Sequence, residues 1–136
     1  MNSSQSLKLD IYLNYPGHCE EAFRFYEQHL GGQVQMMLPH QQLPPHFPAT
    51  WTKPIMHAII NIGGMLVRGA DVPGAEPMRS AYLTLRPSTE EQAQALYKVL
   101  ADGAEIFVKM EKNFFANRFA MLRDRFGTSW MILHET

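Results

Sequence analysis

The side chains of this chain best suited to chemistry form a short set: His57, Arg118, Tyr12, Asn14 and Tyr82, with Phe114, Phe115 and Met131 as apolar company. An imidazole exchanges protons near neutral pH, so His57 is the first candidate for a general acid or base. The same ring also fits an ordinary hydrogen-bonded histidine of a sheet. Arg118 carries a planar fork of donors that suits a carboxylate or phosphate and stabilises developing negative charge. An ion pair with Asp124 or Glu135 satisfies it equally. Tyr12 and Tyr82 can orient a polar substrate beside Asn14. Phe114 and Phe115 either stack on a flat ligand or pack as strand-edge core. Met131 adds a pliable thioether to an apolar wall, although methionine is first of all a core filler. Cys19 opens a helix, where the dipole lowers a thiol's pKa and burial raises it.

Alternation supplies the elements that position these groups. Leu7, Leu9, Ile11 and Leu13 alternate with Lys8, Asp10, Tyr12 and Asn14, which predicts a strand over 7–15. Pro16-Gly17 ends it. Glu20-Glu21 then start a helix whose buried stripe is Ala22, Phe23, Tyr26 and Leu30, stopped by Gly31-Gly32. Strands follow over 34–38, 55–62 and 65–69, the last two a hairpin about Gly63-Gly64. The second half repeats the plan at an offset of about 70 residues, Tyr12-Leu13-Asn14 returning as Tyr82-Leu83-Thr84 and Glu20-Glu21 as Glu90-Glu91. It reads as a strand over 81–86, a helix opened by a Ser88/Glu91 capping box, and strands over 105–109, 118–124 and 129–134. The helix buries Ala93, Leu96, Val99 and Leu100 and ends at Gly103.

Each half is therefore β-α-β-β-β. The chain reads as one domain, 1–136, of module one (7–70), a linker (71–79) and module two (80–136). Opposite the apolar faces lie Tyr12 and Asn14, His57 and Asn61, and Tyr82, Thr84 and Arg86. With helices covering the apolar side, that polar set lines a cleft. A stretch over 39–54 has no counterpart; its five prolines, with Phe47 and Trp51, exclude helix or central strand. It reads as a flap, a dimer-clasping arm or a plain connector.

Bulk properties exclude more than they suggest. A formal charge of -1 gives no reason to expect nucleic acid or an anionic membrane as partner. No apolar run approaches the ~20 residues needed to span a bilayer. The polar start lacks a secretory signal, and a single cysteine points to a reducing, cytoplasmic setting.

Gly17-His18-Cys19-Glu20-Glu21-Ala22-Phe23, Phe25-Tyr26 and Leu30-Gly31-Gly32, within paired βαβββ modules, resemble the vicinal-oxygen-chelate superfamily of glyoxalase I, bleomycin-resistance proteins and extradiol dioxygenases. Met56-His57-Ala58, Ile62-Gly63-Gly64 and Asp124-Arg125-Phe126-Gly127-Thr128-Ser129-Trp130-Met131 are similar to its PhnB-like branch. The resemblance implies an α+β fold in which eight strands curl into an open, U-shaped sheet around a cavity. Helices lie on the convex face, and the protein is a homodimer. It also puts Ile11, Ala81 and Met131 where His, His and Glu ligands belong, and none offers oxygen or nitrogen to a divalent ion. No metal ligand or cofactor is assigned. Alternation aims Tyr12 at the cleft where the ungapped match aims Ile11; a bulge near Pro16-Gly17 reconciles them.

Members of the branch are often labelled demethylubiquinone methyltransferases, but no glycine-rich strand-to-helix turn is present for such a cofactor. Relatives also have Glu-Thr-Phe-Trp where this chain has Lys112-Asn113-Phe114-Phe115. The expectation is a protein that binds a small organic molecule in a mainly apolar cavity, its reaction unassigned. The alternatives are a metal-dependent isomerase, lyase or dioxygenase using a set such as Asp10, His57 and Glu135, and a ligand-sequestering resistance protein. A third is an interaction module docking a protein through its proline-rich arm.

Overall fold

The computed structural model describes residues 6–135. The chain runs β1 (Ile11–Tyr15), α1 (Cys19–His29), β2 (Gln33–Pro39), β3 (Ile55–Ile62), β4 (Met65–Asp71), β5 (Leu83–Leu85), α2 (Glu90–Ala101), β6 (Glu105–Asn113), β7 (Ala116–Arg123) and β8 (Ser129–His134). It divides into two units, Met1–Ala75 and Glu76–Thr136, with the boundary inside the expected linker. Each unit is one βαβββ module. The first forms a sheet of order β1-β4-β3-β2, the second β5-β8-β7-β6. In each, the leading strand runs parallel to the last and the other pairs are antiparallel.

In module one, Leu13, Tyr15, Ala58, Ile60 and Val67 are buried on the face that α1 covers with Phe23 and Tyr26. The helix lies close because Gly69 has no side chain: a Cβ there stands 2.9 Å from Phe23 Cζ. The strand predicted over 7–15 starts only at Ile11, and Leu7 and Leu9 are 80% and 94% exposed. The reason is the partner. Ile11 pairs with Val67, so the same register sets Leu9 against Met65, the first residue of β4, and the ladder has nothing to offer residues 7 and 8.

The sequence offers α1 no capping side chain of its own, since His18 at the N-cap makes no such bond. Asp71 does the work from 52 residues away. Its Oδ1 accepts from the amides of Cys19 (2.9 Å) and Gly17 (3.1 Å), and its Oδ2 from the amide of Ile55 (2.8 Å). Asp71 is thus the buried last residue of β4 and not a linker residue. One carboxylate ties together the β1–α1 turn, the start of β3 and the end of β4.

Residues 40–54 form an ordered loop, closed at its base by the His40 amide donating to the Pro54 carbonyl at 3.0 Å. Phe47 meets His40, His46 and Trp51 edge-on at its centre. Trp51 lies over Gly17, which has a φ of +106° and at which a Cβ would stand 2.9 Å from the indole, so no side chain fits.

Module two differs in its details from expectation. β5 is three residues long, and Ala81 is exposed outside it. The helix cap falls one residue later than predicted: Thr89 Oγ1 accepts from the Gln92 amide, and Gln92 Oε1 from the Ser88 amide. β6 and β7 extend to meet in a turn formed by Phe114-Phe115, with Asn113 Oδ1 accepting from the Phe115 amide. Trp130, 2% exposed, anchors the core. Its indole donates to Asp124 Oδ2 at 2.9 Å, while Asp124 Oδ1 accepts from the amides of Phe126 and Thr128.

Cys19 is fully buried at the start of α1. Burial, and then the Asp71 carboxylate, push its thiol far above the ordinary value, which outweighs the helix dipole. Its folded pKa therefore exceeds its unfolded one, and the unfolded chain loses that proton first. The contribution is intact below 9.0 and is lost as pH rises beyond it. Urea midpoints should fall above that pH, and Cys19→Ala should flatten the decline.

Candidate functional site

The face of module one opposite α1 carries Tyr12 on β1, His57 and Ile59 on β3, and Arg68 on β4. Tyr12 stands opposite Arg68, and Arg68 opposite Ile59. His57 lies two residues before Ile59 and so shares its face. Continuing the β3–β4 register from Ala58 and Gly69 sets small Ala70 beside His57, and the Tyr12 side chain reaches across β4. Its hydroxyl lies 3.0 Å from His57 Nδ1, with ring centroids 5.6 Å apart and tilted by 31°. Among the described residues His57 Nε2 has no partner. Arg68 Nε donates to Asp10 Oδ2 at 3.0 Å in a half-exposed ion pair. Partial burial, and then neighbouring Cys19, hold the Tyr12 phenol above its ordinary pKa, with the Arg68 guanidinium pulling the other way. Met36 and Leu38 on β2 complete the surface opposite Ile59 and His57.

The helix-free face of module two holds Thr84, Met131 and Met121 side by side across β5, β8 and β7, with Leu133 and Phe119 in the next row. At its β6 side Arg123 donates to Glu105 Oε1 (2.7 Å) and to the Met78 carbonyl (2.9 Å), its guanidinium 5.6 Å from the Phe107 ring centre. Phe107 meets Tyr82 edge-on, with centroids 6.4 Å apart.

The structure therefore joins Tyr12 and His57 on the polar face that alternation predicts, with Asn14 exposed beside them. Ile11 pairs with Val67 on the α1 side, and β1 shows no register shift, so no bulge reconciles the two readings. Asn61 Oδ1 instead accepts from the Gly64 amide and shapes the hairpin. Arg118 belongs to module two: it shares the face of buried Ala120 and Leu122 and pairs with Glu90 at 2.8 Å, at the start of α2. That position suits a structural ion pair, with neither Asp124 nor Glu135 as its partner. Phe114 is 100% exposed and Phe115 51%, so the pair is a hairpin tip and not strand-edge core. Phe115 leans on Phe119, with centroids 5.3 Å apart. Met131 is half-buried on the helix-free face.

Sequence reasoning missed Arg68, Arg123 and Phe107. The signal for Arg68 was its parity in β4, alternating with Val67, Gly69 and Asp71. The expected metal positions do not fit an ion. Ile11, Ala81 and Met131 offer no oxygen or nitrogen, and among the described residues no three His, Cys, Asp or Glu side chains gather closely enough to hold one. Asp10, from the non-standard set, is engaged by Arg68. No helix among the described residues is long and apolar enough to cross a membrane.

Comparison with known proteins places this arrangement among relatives. Protein YjdN of Escherichia coli (strain K12) is 26% identical over 141 residues, covering 93% of this chain and 94% of that one. The crystal structure of PA1353 from Pseudomonas aeruginosa is similar with a TM-score of 0.82 at 35% identity, over 95% of this chain and 98% of that one. The PhnB protein from Bacillus cereus shares the fold, with a TM-score of 0.82 at 20% identity over 94% and 99% of the two chains. A sequence profile of one family matches residues 8–132. The chain belongs to the Glyoxalase/Bleomycin resistance protein/Dioxygenase superfamily.

Proposed function

We propose that the protein binds a small organic molecule on the helix-free face of module one, with the Tyr12–His57 pair as its polar contact. The observation that carries this reading is the 3.0 Å bond between the Tyr12 hydroxyl and His57 Nδ1 on a face that no helix of its module covers. We assign the shared proton to the phenol, whose raised pKa keeps it protonated through the neutral range. The neutral imidazole then carries its own hydrogen on Nε2 and presents it as a donor to a ligand oxygen. Met36, Leu38 and Ile59 supply apolar contact around that donor. For a substrate that is turned over, the same Nε2–H is placed to stabilise negative charge developing on the ligand oxygen by hydrogen bonding, with Tyr12 fixing the tautomer.

Calorimetry against a panel of small oxygen-bearing organic molecules tests the reading. At least one member should bind, and His57→Ala should weaken it about tenfold, the size of one good hydrogen bond. Equal affinity of the wild type and the variant for every binder would remove the proposal. Product analysis of the bound ligand then separates catalysis from sequestration.

A further inference from the structure

We infer that a cavity in module two is a binding site for a small aromatic monocarboxylate. The cavity has a volume of about 400 Å³ and is bordered by Arg79, Ser80, Tyr82, Glu105, Phe107 and Arg123. That size is ample for a single-ring molecule, within the roughly 300–1,000 Å³ of small-ligand sites.

Charge selects the ligand. Arg123 is committed to Glu105 and the Met78 carbonyl, so the Arg123–Glu105 pair adds no net charge. Arg79 has no ion pair or hydrogen bond among the described residues. The cavity therefore keeps one uncompensated guanidinium, whose planar fork matches a carboxylate through two parallel bonds. The hydroxyls of Ser80 and Tyr82 likewise have no partner among the described residues and stand ready as further donors.

The walls select a ring. Tyr82 and Phe107 meet at 85°, forming an aromatic corner, and the Arg123 guanidinium lies over the Phe107 ring. A flat ligand ring seats against such a corner edge-on or offset. Ser80, with φ of 58°, is held in a conformation rare for a residue with a side chain. This strain lies between Arg79 and Tyr82, the two residues that must face the same ligand, and it fixes their relative aim. None of these residues belongs to module one, so the inference stands or falls apart from the Tyr12–His57 reading.

Amide-resonance mapping of the full chain titrated separately with benzoate, benzamide, acetate and inorganic phosphate tests it. Benzoate should saturably shift the amides of Arg79, Ser80, Tyr82 and Phe107. Benzamide, lacking the charge, and phosphate, lacking the ring, should each bind about tenfold more weakly. Arg79→Gln, at an exposed site, should cost benzoate about tenfold in affinity while leaving the remaining resonances in place. Phe107→Leu should erase the preference for benzoate over acetate. Absence of saturable shifts at these amides, phosphate binding as tightly as benzoate, or unchanged affinity in either variant would overturn the inference.

Discussion

Asp71→Ala lowers the unfolding free energy by about 3–5 kcal/mol, read as a drop in urea midpoint. The substitution leaves the buried amides of Cys19 and Ile55, and the part-buried amide of Gly17, without their acceptor. Each orphaned donor costs about 1–3 kcal/mol, and relief from burying a carboxylate offsets part of the sum. Natural domains hold roughly 5–15 kcal/mol in all, so the variant should sit near the edge of folding. Asp71→Asn keeps one acceptor and turns the other into a donor, so its loss should be intermediate. A midpoint for Asp71→Ala within about 0.5 kcal/mol of wild type, the range of ordinary surface changes, would show that the clamp is dispensable.

Asp124→Ala should cost a similar amount, about 3–5 kcal/mol, in the other module. Here the orphans are the amides of Phe126 and Thr128 and the Trp130 indole. The readout differs, because Trp130 is buried while Trp51 lies in the loop over Gly17. Loss of the indole's acceptor should admit water to the Trp130 side and red-shift its emission, an effect that Asp71→Ala does not produce. In a Trp51→Phe background, an unshifted spectrum at unchanged stability would count against this role for Asp124.

These two carboxylates mark where the sequence is legible. Features set by near neighbours were readable: the β3–β4 turn needs positive φ, and Gly63 and Gly64 sit at +59° and +89°. The helices and the extents of β3 and β8 likewise follow from periodicity and stop signals. Asp71 escaped because its partners at Cys19 and Gly17 are 52 and 54 residues away. One hint was present, an aspartate in phase with buried Val67 and Gly69. Leu7 and Leu9 misled for the opposite reason: alternation shows which face a strand can bury, and not whether a neighbouring strand exists to pair with it.

The candidate site divides the same way. Parity put Tyr12 and His57 on one face, and their side chains meet there. Parity also argued against Arg118, which is in phase with Ala120 and Leu122, and in favour of Arg123, which is not. The Phe114-Phe115 turn was hidden because neither residue is a turn former; the Asx bond from Asn113 supplies what glycine usually does. Ser88/Glu91 and Thr89/Gln92 both satisfy a capping pattern, and only the fold chooses between them.

The most direct measurement is a crystal structure of the protein with the tightest calorimetric binder. An oxygen of that ligand should lie within hydrogen-bond distance of His57 Nε2, over Met36 and Leu38, with the Tyr12 bond to Nδ1 intact. A ligand seated elsewhere, with the imidazole unapproached, contradicts the account.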